Sequence, residues 1–129
     1  MTSLNLSPTS STPSIDFNAE TGELRITGVS TLLDPRDFYI PVLAWTDKYV
    51  AMQLPHTQVF INCMYLNTMS SKYVLDLLQK MKLLTDAGNK VTITWEYDEG
   101  DDDIMIAGEQ LSHISGLPFT FTANKREED

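Results

Sequence analysis

The sequence predicts a single α/β domain in which a mixed, mostly parallel β-sheet carries helices on one face and leaves the other face largely open to water. Three observations predict this class. Hydrophobic periodicity changes along the chain in the order β-β-α-β-α-β-α-β. The segments that join the later strands are long enough for right-handed helical crossovers, which make those strands parallel. Most strands have one polar, threonine-rich side, whereas a sheet covered on both faces is apolar throughout.

The first half of the chain predicts a hairpin followed by a helix. Residues 14–17 and 23–27 alternate polar with apolar side chains on either side of a turn-rich stretch, which favours an antiparallel pair. Asp34 and Pro35 are typical of a helix start. Because Pro41 falls inside the helical pattern, we expect a kink or a short first turn. Helical spacing assigns these side chains to the buried face: Phe38, Val42, Trp45, Tyr49 and Met52.

The second half predicts the centre of the sheet and two further helices. Residues 58–66, including Phe60 and Met64, are apolar on nearly both sides, which suits a central strand. An amphipathic helix is expected from Ser70, with Gly88 as its stop. A strictly alternating strand, a weaker helix and a short last strand follow, at residues 90–97, 104–114 and 118–122.

The composition at the two ends of the chain predicts the limits of the domain. We expect residues 1–12, which are rich in Ser, Thr and Pro, to form a flexible N-terminal tail. Residues 124–129 are expected to form a charged C-terminal tail. The domain itself is assigned to residues 13–123, since no repeat or linker divides it.

The charge balance excludes several classes of partner. The chain has 129 residues, with 18 Asp plus Glu against 9 Lys plus Arg, and a formal net charge of −9. Without a basic cluster, neither nucleic acid nor an anionic membrane is an expected partner. One cysteine, Cys63, and a start without a basic and apolar leader predict a cytoplasmic protein. No cofactor is expected, and without a phosphate-binding glycine loop the chain should not bind ATP in the P-loop manner.

The most informative segment is residues 65–72, where the central strand ends and a helix opens. The carboxyl ends of parallel strands collect functional groups, and a helix start offers unpaired amides and the positive end of a dipole. Asn67, Thr68 and Ser70 are also common helix-capping residues. From the residues alone, both a functional site and a simple cap remain open.

Other candidate residues are interpreted structurally. The acidic run from Glu96 to Asp103 lacks the ligand spacing of an EF-hand and is interpreted as a solvated loop that caps the third helix, although its carboxylates also suit a basic partner. Cys63 is expected to be a buried apolar residue. With His56 and His113 in different elements, neither a metal site nor a Cys-His dyad is predicted. Exposed aromatic side chains at Phe38 and Tyr39 are a further candidate partner surface.

Several sequence motifs in the chain resemble those of the SiaC family of bacterial regulatory phosphoproteins, which is similar in fold to the anti-sigma-factor antagonists (STAS domains). The central motif is YLNTMSSKYVLDLL at residues 65–78. Others follow in the family's order: STPSIDF, TGELRITG, FYIPVLAW, VTITWEYDEGDDDIMIAGEQLS and LPF. Together they extend from about Ser11 to Phe121, nearly the whole chain.

This resemblance implies a non-enzymatic switch. The family's phosphorylated threonine matches Thr68, which a partner kinase modifies and a PP2C-type phosphatase restores. In the family, the unphosphorylated form binds and activates a diguanylate cyclase, which places the protein in c-di-GMP signalling and biofilm control. Met69 stands where the family usually has serine, and Ser70 and Ser71 remain secondary phosphorylation candidates. The expected partner-binding residues are Asn67, Met69, Ser70, Ser71 and Lys72.

Two alternative functions stay open at this point. An anti-sigma-factor antagonist of a partner-switching pathway would share the fold and the site but capture a different partner. A small metal-dependent hydrolase would use the acidic loop together with His113.

Overall fold

A computed structural model describes residues 1–125 and confirms the predicted α/β class. The chain forms β1 (Leu4–Leu6), β2 (Ser14–Asn18), β3 (Glu23–Ser30), α1 (Arg36–Ala51), β4 (His56–Leu66), α2 (Thr68–Asp86), β5 (Lys90–Asp98), α3 (Asp102–Ser115) and β6 (Phe119–Asn124). The strands form one sheet in the order β1-β2-β3-β4-β5-β6. The pairs β1–β2 and β2–β3 are antiparallel, while β3–β4, β4–β5 and β5–β6 are parallel, as the crossover lengths predict.

The three helices cover one face of the sheet. Along β4, Val59, Ile61 and Cys63 are buried, whereas the residues between them are half-buried. The helices reach this face through polar contacts as well as apolar ones. The Tyr49 hydroxyl of α1 lies 2.7 Å from the Thr57 hydroxyl of β4. Trp95 of β5 donates a 2.9 Å hydrogen bond from Nε1 to the carbonyl of Ile104 in α3. Alternation along the strands therefore separates a core face from an open face.

The open face is polar and has no covering layer within residues 1–125. The guanidinium of Arg25 lies 4.0 Å from the centre of the Phe60 ring, and it shields part of that ring from water. Thr27 of β3 and Thr120 of β6 are exposed on the same face. Within the described part of the chain, no helix is long and apolar enough to cross a bilayer.

The structure corrects the prediction for the N-terminal tail. Residues 4–6 form the edge strand β1, and Leu4 pairs opposite Phe17 of β2. The adjoining backbone is also held, because Trp45 Nε1 donates a 2.8 Å hydrogen bond to the carbonyl of Thr2. Three residues are too few to show a period, so the hairpin edge, rather than the local sequence, decides this strand. At the other end, β6 extends to Asn124, and residues 126–129 of the predicted charged tail lie outside the described residues.

Helix α1 begins and packs differently from the prediction. Its N-cap is Pro35, which makes no side-chain hydrogen bond, while Asp34 Oδ1 accepts from the backbone N–H of Arg36 at 3.3 Å. The helix continues through Pro41 as one element. Met52, expected on the buried face, is 44% exposed. The buried side chains of α1 are Tyr39, Val42, Thr46, Tyr49 and Val50.

Candidate functional site

The predicted site lies at the edge of the sheet where the parallel strands end. Strands β3, β4 and β5 are neighbours and run in the same direction, so the segments after them meet at one edge. Helix α2 starts there at Thr68, two residues before the predicted start at Ser70. Thr68 is therefore the first residue of a 19-residue helix, directly after the N-cap Asn67.

Asn67 fixes the turn before Thr68 through three hydrogen bonds. Its Oδ1 accepts from the backbone N–H of Ser70 at 2.9 Å, which is the N-cap contact predicted from the residue type. Its Nδ2 donates to the carbonyl of Leu32 at 2.8 Å, and its own N–H donates to the carbonyl of Ser30 at 3.0 Å. The turn is therefore anchored both to the helix that follows it and to the end of β3.

A buried chain of hydroxyl groups holds the first turn of α2 against the core. Ser30 Oγ donates to Ser70 Oγ at 2.7 Å and lies 2.7 Å from the Tyr39 hydroxyl. Ser30 and Ser70 are 0% exposed and Tyr39 is 2% exposed. Burial raises the pKa of Tyr39 to about 12, because desolvation disfavours the phenolate more than the hydrogen bond with Ser30 stabilises it. Tyr39 is thus a core residue, and its predicted place on an exposed partner surface is wrong.

The predicted site residues divide into a buried group and an exposed group. Ser70 belongs to the hydroxyl chain and has no surface. Ser71 is half-buried, and its Oγ donates to the carbonyl of Asn67 at 3.0 Å. Thr68 and Lys72 are exposed, and Met69 is 47% exposed. Among these hydroxyl-bearing residues, Thr68 is therefore the one that is exposed in the first turn of the helix.

A bulge in β4 adds two exposed side chains that the sequence interpretation missed. Cys63 pairs opposite Gly28 and Tyr65 opposite Val29, so Met64 is an extra residue in β4. Met64 is 60% exposed and Tyr65 is 56% exposed, although the pattern placed Met64 within a strand buried on both sides. The signal was Gly28 inside β3, which has a φ of 125°, because a glycine within a strand marks such irregularities.

A groove of about 340 Å³ joins Thr68 to the acidic loop. Asp101 and Asp103 line it opposite Met64, Tyr65 and Thr68. We call the exposed side chains of residues 64, 65, 68, 69 and 72 the edge surface. Leu33, in the loop that Asn67 holds through Leu32, is 97% exposed beside it. The edge surface thus combines an apolar centre with carboxylates on one side.

The acidic loop caps α3, as predicted. Asp101 is the N-cap, and its Oδ1 accepts from the backbone N–H of Ile104 at 3.2 Å. His113 lies in the last turn of the same helix, about 18 Å away at 1.5 Å per residue. Within residues 1–125, no three His, Cys, Asp or Glu side chains form a group that could hold a metal ion. The structure therefore does not bring His113 to the carboxylates of the acidic loop.

Cys63 is placed where the sequence predicts, inside β4. It is 1% exposed, and burial raises the pKa of its thiol to about 12. Since the thiolate is the nucleophilic form, this cysteine is a packing residue. His56 is exposed at the opposite end of the same strand, so the two do not form a dyad.

Comparison with known proteins supports the same fold. A chain in the crystal structure of diguanylate cyclase SiaD in complex with its activator SiaC, from Pseudomonas aeruginosa, matches with a TM-score of 0.87 and 25% identity, over 94% of this chain and 99% of that one. Apo-SiaC from the same organism matches with a TM-score of 0.87 and 26% identity, over 95% of this chain and 100% of that one.

Sequence comparisons agree with the structural ones. An uncharacterized protein of Pseudomonas aeruginosa (strain UCBPP-PA14) is 25% identical over 124 residues, which cover 96% of this chain and 98% of the relative. The family model for the SiaC family regulatory phosphoproteins matches residues 6–124. This family is regulatory rather than enzymatic, and the predicted resemblance is confirmed. The chain therefore belongs to the SiaC family of regulatory phosphoproteins.

Proposed function

We propose that this protein is a cytoplasmic switch in which phosphorylation of Thr68 controls the binding of a diguanylate cyclase. In this proposal a partner kinase adds the phosphate and a PP2C-type phosphatase removes it. The unphosphorylated form activates the cyclase through the edge surface and so raises c-di-GMP. The family assignment and the relative described as the activator of SiaD support the choice of partner.

The exposure of Thr68 is the observation that carries the proposal. Thr68 is an exposed residue at the start of α2, and the serine two residues later is fully buried. A phosphate on Thr68 would lie near the first-turn amides and the positive end of the helix dipole, which tolerate negative charge. The hydroxyl chain below it involves Ser70, Ser30 and Tyr39 and needs no rearrangement. Phosphorylation should therefore leave the fold intact.

The surroundings of Thr68 decide what the phosphate does to a partner. It adds about −1.5 to −2 charge at neutral pH. Lys72 lies one helical turn away, whereas Asp101 and Asp103 line the adjoining groove. Phosphate therefore makes an acidic edge more acidic. A partner that buries Met64, Tyr65 and Met69 would have to desolvate this charge, at a cost of several kcal/mol, and each 1.4 kcal/mol is a tenfold change in affinity.

Two measurements test this switch. Intact-mass spectrometry of the protein from its native host should show one added phosphate, and that species should disappear in Thr68→Ala. Titration calorimetry with a diguanylate cyclase from the same organism should show that Thr68→Asp binds at least tenfold more weakly than Thr68→Ala, at about 1.4 kcal/mol or more. The difference should shrink as salt is added, because exposed charges are screened.

Thr21→Asp is the matched control, since Thr21 is exposed in the β2–β3 turn, at the end of the sheet where the parallel strands begin. This variant adds the same charge as Thr68→Asp. In wild type the backbone N–H of Glu23 donates to Thr21 Oγ1 at 3.3 Å, and an aspartate side chain can accept that hydrogen bond instead. We expect Thr21→Asp to bind as wild type does. Equal cyclase affinities for Thr68→Ala and Thr68→Asp would refute the switch, while capture of an anti-sigma kinase in place of a cyclase would refute the proposed partner only.

A further inference from the structure

Within residues 1–125, strand β6 forms an edge of the sheet with no strand on its outer side. It pairs with β5 on one side, and no other strand within residues 1–125 pairs with its second side. Its six residues, FTFTAN, carry no charge. Residues 120–123 are exposed, and Phe121 is 37% exposed. A row of backbone donors and acceptors therefore faces solvent beside side chains with high β propensity.

Between Phe119 and Asn124, this edge lacks the features by which folded proteins prevent strand pairing. Such edges are usually short, charged, bulged or interrupted by proline. The opposite edge, β1, has only three residues and is protected by its shortness. In contrast, β6 contains no proline, and its register with β5 is regular from Phe119 to Asn124. Of the two edges of the sheet, β6 is thus the one suited to accept another strand.

The register with β5 identifies the backbone groups that face outward. The carbonyl of Asn124 points toward β5, where it accepts from the N–H of Glu99 at 2.8 Å. The backbone groups of successive strand residues point to opposite sides. The N–H and C=O groups of Phe119, Phe121 and Ala123 are therefore those on the free side of β6.

We propose that β6 pairs antiparallel with β6 of a second copy of this chain, with the two-fold axis at Phe121. In this register the outward groups of Phe121 bond with those of its own counterpart, and Phe119 bonds with Ala123. Thr120 lies opposite Thr122, a favourable cross-strand pair. The two sheets become one continuous sheet of twelve strands, twice the six in each chain.

Charge opposes a second copy least at this edge. Two chains that each carry −9 repel one another, so contact is least unfavourable along a strand such as β6, whose own residues include no carboxylate. Glu96 of β5 lies opposite Thr122 of β6 in the same chain. Across the proposed interface it is separated from its counterpart by three strand spacings, at least about 14 Å. This exceeds the Debye length of about 8 Å at physiological salt, so the repulsion is largely screened.

Light scattering coupled to size-exclusion chromatography, over a series of protein concentrations, tests the proposal on the full chain. The mass should rise from the single-chain value of 14.5 kDa toward twice that value. Phe121→Lys and Phe121→Glu should each keep the single-chain mass, because like charges then lie opposite each other on the axis. An equimolar mixture of the two variants should recover the double mass, since Lys then faces Glu.

Ala123→Pro provides a second test that leaves the side chains of the interface nearly unchanged. It removes an outward N–H while the β5 pairing stays, and proline is tolerated at such edge positions. We expect the single-chain mass, whereas the control Ala123→Ser keeps the N–H and the double mass; circular dichroism verifies that each variant is folded. A single-chain mass for wild type at every concentration, a dimer that survives Ala123→Pro, or a mixture that stays monomeric would each overturn the proposal.

Discussion

The buried hydroxyl chain beneath Thr68 predicts a specific order of stability losses. Ser30 is its central member, 2.7 Å from both Tyr39 and Ser70, and all three are buried. Ser30→Ala deletes the centre and leaves a hydroxyl at each end without this partner. Tyr39→Phe removes only one end, and Ser30 still donates to Ser70. Ser70→Ala removes the acceptor and leaves one proton of the Ser30–Tyr39 pair without a place to go.

The magnitudes follow from the cost of orphaned groups. A buried polar group left without a partner costs about 1–3 kcal/mol, whereas the net loss of one satisfied hydrogen bond is about 1 kcal/mol. We therefore expect losses in the free energy of unfolding of roughly 2–4 kcal/mol for Ser30→Ala, about 2 for Ser70→Ala and about 1 for Tyr39→Phe. The triple variant, in which no hydroxyl remains to be orphaned, should lose less than Ser30→Ala alone.

Urea unfolding followed by tryptophan fluorescence and circular dichroism measures these differences. Equal slopes of free energy against urea concentration are required, so that a shifted midpoint reports stability alone. Tyr39→Phe also serves as the packing control, because it leaves the ring stacked on Tyr73, whose centre is 5.3 Å away. The reasoning is refuted if Tyr39→Phe costs as much as Ser30→Ala, or if the triple variant is the least stable of the set.

Two further predictions concern the core and alkaline pH. In Gly108→Ala the new Cβ would lie 2.5 Å from Trp95 Nε1, and this nitrogen is held in place by its hydrogen bond to the Ile104 carbonyl. Overpacking should cost about 1–3 kcal/mol, more than the gain of about 1 kcal/mol in helix propensity, so the urea midpoint should fall. An unchanged or higher midpoint would contradict this. Burial raises the pKa of Tyr39 from 10.0 and of Cys63 from 9.0 to about 12, so the folded state holds these protons more tightly than the unfolded chain. The free energy of unfolding should then fall as pH rises from 9 to 12, by up to about 1.4 kcal/mol per pH unit for each group. Cys63→Ala should remove the part of this fall that lies between pH 9 and 10. If Cys63→Ala still loses stability between pH 9 and 10, Cys63 is not the cause of that loss.

Local patterns were sufficient to predict most of the fold. Alternation in residues 14–17, 23–27 and 90–97 identified strands, and the 3.6-residue spacing from Val74 to Leu84 identified α2. Crossover length and handedness then determined parallel pairing, because few topologies satisfy both. The capping roles of Asn67 and Asp101 were also predictable, since side-chain oxygens at these positions accept from amides within the same turn.

The sequence predictions are wrong where segments distant in the chain decide whether a strand forms or a side chain is buried. Strand β1 is too short to carry a period and forms because the β2–β3 hairpin offers it an edge. The helical spacing of α1 did not place Tyr39 in the core, because its burial depends on Ser30 and on Tyr73 from other elements. Met64 is exposed because a bulge opposite Gly28 interrupts the alternation of β4.

By itself, the sequence determined the order of the elements from β2 to β6, the α/β class, the family and a helix start within one turn of Thr68. These depend on interactions between residues close in the chain or on sequence motifs that the family shares. Only the tertiary structure decided that Ser70 is buried while Thr68 is open, and that Asp101 and Asp103 line the same groove as Thr68. Exposure and proximity at a sheet edge depend on how several strands end together, which no local pattern records.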